Sequence, residues 1–249
     1  MTGAEAGAGG LRPAGEIEMY VEVEGDGPDL VLLHGGGGTV DDLAGLRSAL
    51  RPGRRLMLPE QRAHGRTPDV GVLTYAQMAA DTAALLEGMG ARDADLVGWS
   101  DGGIIALMIA RDRPELVGHV VAIGANVDSV GAPDPMSEQS TAWFANATPA
   151  DLDFDMSVEA KAKLLAMWRS GPEITVADLA HVSPPVLIIS GDRDLVTLEH
   201  TLATFHALPN AQLAVIPDAD HHVPHARPDA VAGLVEQFLD GAATSPAAD

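Results

Sequence analysis

Gly98-Trp99-Ser100-Asp101-Gly102 sets a serine between two glycines, after the apolar run Asp95 to Gly98 and ahead of the apolar run Ile104 to Arg111. A serine hydroxyl is a weak nucleophile until it is held exposed beside a base, and a strand turning sharply into a helix can hold it there. Glycine on both flanks allows backbones to crowd where a β-carbon would clash. The chemistry this suggests is attack of the Ser100 hydroxyl on an acyl carbon.

Such an attack needs a base, an acid to orient it, and donors for the oxyanion. Gly191-Asp192-Arg193-Asp194-Leu195-Val196 follows one apolar run, and Pro217-Asp218-Ala219-Asp220-His221-His222 follows another. The chain order is therefore serine, acid, histidine, unlike the orders of the two main protease folds. His34-Gly35-Gly36-Gly37-Gly38 follows a third apolar run and offers bare backbone for close approach. The Gly36 and Asp101 N–H groups are the expected oxyanion hole. A dinucleotide-binding reading of the same loop fails, because Gly-x-Gly-x-x-Gly would need glycine at Val40 or Asp41.

The carboxylate of Asp101 raises its own question. Turned toward an oxyanion about 6 Å away, at an effective dielectric near ~20, it would oppose that charge by roughly 3 kcal/mol. It is expected to point away or be neutralised, as a first-turn helix carboxylate would be, or else to face a substrate amino group.

The elements that must position these groups read as alternating strands and helices. Glu16 to Glu24 alternates strictly, with Ile17, Met19, Val21 and Val23 on one face, and is expected as a strand with one wet face at a sheet edge. Leu30 to Leu33, Arg55 to Leu58, Asp95 to Gly98, Val117 to Ile123, Val186 to Ser190 and Gln212 to Ile216 read as buried strands. Tyr75 to Met89, Ile104 to Arg111 and Ala230 to Leu239 carry helical spacing. The expected architecture is α/β, a doubly wound and mostly parallel sheet whose ligands sit at the carboxyl ends of the strands.

Residues 15–124 and 182–240 form the expected core, interrupted by a helical cap insertion over 125–181. That insertion lacks a central-strand pattern but holds four of the nine aromatic residues. Its Trp143, Phe144 and Trp168, with Gly35 and Trp99 beside the oxyanion donors, are the expected substrate-binding surface. Residues 1–14 and 241–249 have little to bury and are expected to be disordered tails.

Composition narrows the function classes. A formal charge of -21 with no basic cluster argues against nucleic acid and anionic membrane partners. With no cysteine, disulfides, thiolate metal sites and a cysteine nucleophile are excluded. No long apolar run or secretion signal is visible, so a cytoplasmic protein is expected.

Taken together, Gly98-Trp99-Ser100-Asp101-Gly102-Gly103, the glycine loop and the two later loops resemble the α/β-hydrolase superfamily from about Ile17 to Leu239. The elbow is most similar to the branch of small serine esterases that includes valacyclovir hydrolase. Pro59-Glu60-Gln61-Arg62-Ala63-His64-Gly65-Arg66 resembles that family's Asp-x-Arg-Gly-His-Gly loop, which implies a structural role for His64. The resemblance places the acid at Asp194, with Asp192 the fallback, and the base at His221 in preference to His222; His225 is expected at the surface. The family's Gly-x-Gly before the histidine is replaced here by Asp218 and Asp220.

The implied function is a cofactor-free and metal-free serine hydrolase acting on a small to medium carboxylic ester, lactone or thioester. Carbon–carbon hydrolysis, perhydrolysis of the haloperoxidase kind, lyase chemistry and a non-catalytic receptor are the alternatives.

Overall fold

The computed structural model describes residues 9–128 and 134–244. Strands β1 (Gly10–Ala14), β2 (Ile17–Glu24) and β3 (Asp29–Leu33) lead into helix α1 (Ala44–Ala49), β4 (Arg55–Pro59), α2 (Tyr75–Gly88), β5 (Ala94–Trp99), α3 (Asp101–Asp112) and β6 (Val117–Ile123). Helices α4 (Glu138–Asn146) and α5 (Val158–Ser170) follow. The chain then returns through β7 (Val186–Gly191), α6 (Leu198–Ala207), β8 (Ala211–Ile216), α7 (Val223–Ala226) and α8 (Pro228–Thr244).

The eight strands form one sheet in the order β1-β2-β4-β3-β5-β6-β7-β8. β1–β2 and β2–β4 pair antiparallel, and every later pair is parallel. The central strands are apolar on both faces because each face is covered. Val31 and Leu33 of β3, Val120 and Ala122 of β6, and Val186 and Ile188 of β7 pack into the core under α2 and α3. Their neighbours Leu30 and Leu32, Val121 and Ile123, and Leu187 and Ile189 pack into the opposite core, with α1 and α8. This two-sided burial is what a parallel sheet requires of its sequence.

Three expectations are corrected. Residues 10–14 are not a disordered tail but the edge strand β1, in register from Gly10 opposite Val21 to Ala14 opposite Ile17. Main-chain bonding to β2, rather than apolar burial, holds this strand: Ala14 is buried, but Leu11 is 42% exposed. Pro13 is tolerated because one side of an edge strand has no ladder to donate to. β2 is consequently the second strand and not the edge. At the other end α8 continues through Thr244, past the expected boundary at 241. Residues 1–8 and 245–249 lie outside the described residues.

Between β6 and β7 the described chain is helical, with α4, α5 and short 3-10 turns at Pro149–Asp151 and Ala177–His181. Ser137 and Ser157 cap the two helices by accepting from the Ser140 and Ala160 N–H groups. α5 buries Leu164, Leu165 and Met167, whereas α4 buries no residue.

Candidate active site

Ser100 lies between β5 and α3 with φ 54° and ψ -118°, a conformation L-residues rarely adopt. Such a backbone costs on the order of 1–3 kcal/mol and persists only where its surroundings fix it. Here the Ser100 N–H donates to the Ile123 carbonyl at 2.8 Å, and the Ser100 carbonyl accepts from Gly103 and Ile104 N–H at 2.9 and 3.2 Å. The flanking glycines allow the turn: a β-carbon on Gly98 would run into the Gly102 carbonyl, and one on Gly102 into that of Leu33.

The three sequence-distant groups meet. Ser100 Oγ donates to His221 Nε2 at 2.9 Å, and His221 Nδ1 donates to Asp194 Oδ1 at 2.7 Å. The Asp194 side chain is fully buried, and its Oδ1 also accepts from the Val196 N–H at 3.0 Å, which fixes the carboxylate plane. Asp194 Oδ2 has no hydrogen-bond partner among the described residues.

Asp192 stands apart from this chain of bonds, accepting instead from the Ala219 N–H at 3.2 Å. His222 is exposed and pairs with Asp220, and His225 packs edge-on against Trp99 with ring centres 4.6 Å apart. Trp99 performs a task that sequence did not indicate: its indole Nε1–H donates to the His221 carbonyl at 2.8 Å.

Two departures from the family pattern find their explanation in the backbone. Asp218 and Ala63 stand where that pattern has glycine, and both have positive φ, 55° and 63°. The turns are thus retained with side chains that bear the strain, which aspartate tolerates better than most residues.

The glycine loop is shaped by two buried histidines. Gln61 N–H donates to His34 Nε2 and Gly37 N–H to His64 Nε2, each at 3.0 Å. Both rings must then carry their proton on Nδ1, which donates to the Gly35 and Arg62 carbonyls at 2.8 Å. Burial lowers the pKa of His34, and burial followed by the neighbouring His34 ring lowers His64 to about 3. Both are neutral scaffolding for the loop, and His64 has the structural role its motif implied. Beneath them Arg62 forms a buried two-pronged pair with Asp81 at 2.6 and 2.9 Å.

Gly35, Gly36, Trp99, Ser100, Asp101, Trp143, Phe144, Trp168 and His221 all line one cavity of about 820 Å³. Trp143, Phe144 and Trp168 form a chain of edge-to-face contacts with ring centres 5.0 and 5.4 Å apart, which Phe154 continues at 6.3 Å from Trp168. Trp143 at its outer end is 46% exposed. The Arg169 guanidinium holds the carboxyl end of α4 through the Phe144 and Ala147 carbonyls.

Asp101 is neither a simple first-turn carboxylate nor an open cation site. Its Oδ1 accepts from Tyr75 Oη–H at 2.8 Å and its Oδ2 from Trp168 Nε1–H at 2.9 Å. Burial raises its pKa, an effect the Trp168 and Tyr75 bonds oppose. Tyr75 was missed from sequence, where it reads only as the start of a helix; a bond spanning 26 residues leaves no local pattern.

The alpha/beta hydrolase family pattern matches residues 30–234. The magnesium-chelatase 30 kDa subunit of Rhodobacter capsulatus is 26% identical over 94% of this chain and 95% of that protein. The pimeloyl-[acyl-carrier protein] methyl ester esterase of Nitrosomonas europaea is 27% identical over 82% of this chain and 92% of its own length. Among solved structures, that of a bacterial membrane phospholipase A superposes with a TM-score of 0.83 at 18% identity, covering 96% of this chain and 87% of that one. No helix among the described residues is long and apolar enough to cross a membrane. With its mostly parallel eight-stranded sheet and this family match, the chain belongs to the alpha/beta hydrolase family and is a hydrolase.

Proposed function

We propose that the protein is a serine hydrolase that cleaves a small to medium carboxylic ester through an acyl-enzyme. The observation carrying this reading is the unbroken path from Ser100 Oγ through the His221 ring to Asp194, with bonds of 2.9 and 2.7 Å. His221 Nε2 takes the hydroxyl proton as Oγ attacks the carbonyl carbon, and Asp194 stabilises the imidazolium from the Nδ1 side. Gly36 and Asp101 N–H groups receive the oxyanion. Collapse of the tetrahedral species expels the alkoxide, which takes its proton from His221. Water, deprotonated by the same ring, then attacks the acyl-enzyme and releases the acid. No metal or organic cofactor enters these steps.

The largely aromatic and aliphatic lining of the 820 Å³ cavity supports an apolar acyl or alkyl group of moderate size. Similarity to a methyl ester esterase supports an ester as the substrate class. In this reading the helical segment within 125–181 is a cap that selects the substrate.

Labelling by a fluorophosphonate probe tests the proposal. The wild type is expected to be labelled at Ser100 and to turn over p-nitrophenyl esters, with both lost in Ser100→Ala. A folded wild type that binds small molecules but shows neither property would be a receptor, and the reading would fall.

A further inference from the structure

The Asp101 carboxylate is a three-way junction. Its two oxygens accept from α2, through Tyr75 Oη, and from α5, through Trp168 Nε1. The third partner is the glycine loop: a β-carbon on Gly36 would fall on Asp101 Oδ2 and within 2.7 Å of the Trp168 ring. The loop carrying one proposed oxyanion donor therefore rests on the side chain of the residue carrying the other.

Asp101 is 6% exposed, and its carboxylate accepts from these two donors. A buried carboxylate deprived of a donor seeks another partner, because leaving it unpaired is costly. Each carboxylate oxygen already accepts one hydrogen bond, and the Trp168 ring stands at the cavity wall beside it.

We infer that Tyr75 and Trp168 are positioning and specificity-determining residues: by each holding one Asp101 oxygen they seat Gly36 for oxyanion binding and withdraw this carboxylate from recognition of a substrate ammonium. This rests on the serine hydrolase reading and goes beyond it in two ways. It assigns work to an N–H on the helical segment, and it defines the substrate class as esters whose acyl part carries no cation recognised by Asp101.

The test compares an α-amino acid ester with its uncharged des-amino analogue in wild type, Trp168→Phe and Tyr75→Phe. The wild type is expected to cleave the pair with similar kcat/KM. Loss of either donor is expected to raise the amino-to-uncharged ratio of kcat/KM about ten-fold, the worth of one charge-assisted bond. On the uncharged ester, kcat is expected to fall about ten-fold in either variant, with KM little changed in Tyr75→Phe, since the lost seating matters only as the oxyanion forms. Adding Asp101→Asn to Trp168→Phe is expected to return the ratio to the wild-type value, a result that simple loosening of the pocket does not produce.

Fluorophosphonate labelling of each protein separates the two levels of failure. An unlabelled wild type overturns the hydrolase reading and this inference with it. Labelled variants whose ratio stays at the wild-type value overturn the inference alone, as does a wild type that already prefers the amino ester strongly. Tyr75→Phe carries the same expectation should Trp168→Phe not fold.

Discussion

The sheet and the helical segment after β6 hold their aromatic and catalytic-type residues in opposite ways. On the sheet side, Ser100 is pinned by main-chain bonds on both sides, Asp194 by the Val196 N–H, and the glycine loop by two neutral histidines. In the other region α4 buries nothing and is secured at its carboxyl end by Arg169. The groups of the proposed reaction are thus held by main-chain bonds and buried side chains, while the outer pocket wall at Trp143 and Phe144 comes from a helix with no buried residue. This division lets one scaffold serve many substrates.

The largest loss is expected at the proposed nucleophile. Ser100→Ala is expected to lower turnover by roughly a million-fold, measured with a p-nitrophenyl ester, while leaving the melting temperature unchanged or raised, since the strained position loses only its hydroxyl. Gly36→Ala comes next. Its β-carbon meets the Asp101 carboxylate and the Trp168 ring, so the loop must withdraw, and a loss of about a hundred- to a thousand-fold in kcat is expected.

The pH dependence of stability distinguishes the two regions by a different measurement. The His64 imidazole stays neutral in the fold down to about pH 3, whereas in the unfolded chain it takes up a proton below about pH 6.5. The unfolded state binds more protons in that window, so unfolding free energy falls as pH drops from about 6.5 towards 3. Between about pH 6.5 and 5 His64 alone contributes roughly 2 kcal/mol to this loss. Urea midpoints across that range are expected to fall for the wild type and to fall less for His64→Gln, which keeps an acceptor for Gly37 N–H but does not titrate.

The smallest effect belongs to the exposed end of the aromatic chain. Trp143→Ala is expected to change stability by about 0.5 kcal/mol or less, as half-exposed positions do. It should raise KM about ten-fold for long-chain esters and leave acetyl esters unaffected, a loss of apolar contact readable from a chain-length series.

The sheet was legible in sequence where burial on two faces left unbroken apolar runs, and Val117–Ile123 was delimited to the residue. The loops carrying Ser100, Asp194 and His221 were legible because each directly follows such a run, whereas the choice of Asp194 over Asp192 and of His221 over His222 came from the family resemblance. β1 was not, because main-chain pairing has no side-chain signature. Nor were the bonds made by Tyr75 and Trp99, which join residues 26 and 122 positions apart and obey no period. The fate of Asp101 could be framed as a charge to be neutralised, but its neutralisers lie on two other helices.

The indole of Trp99 carries one more implication. The residue immediately before Ser100 grips the main chain of His221 itself, so one side chain adds a direct tie between two loops that lie 121 residues apart in sequence. The helical segment between β6 and β7 could therefore change in length and sequence without loosening that tie.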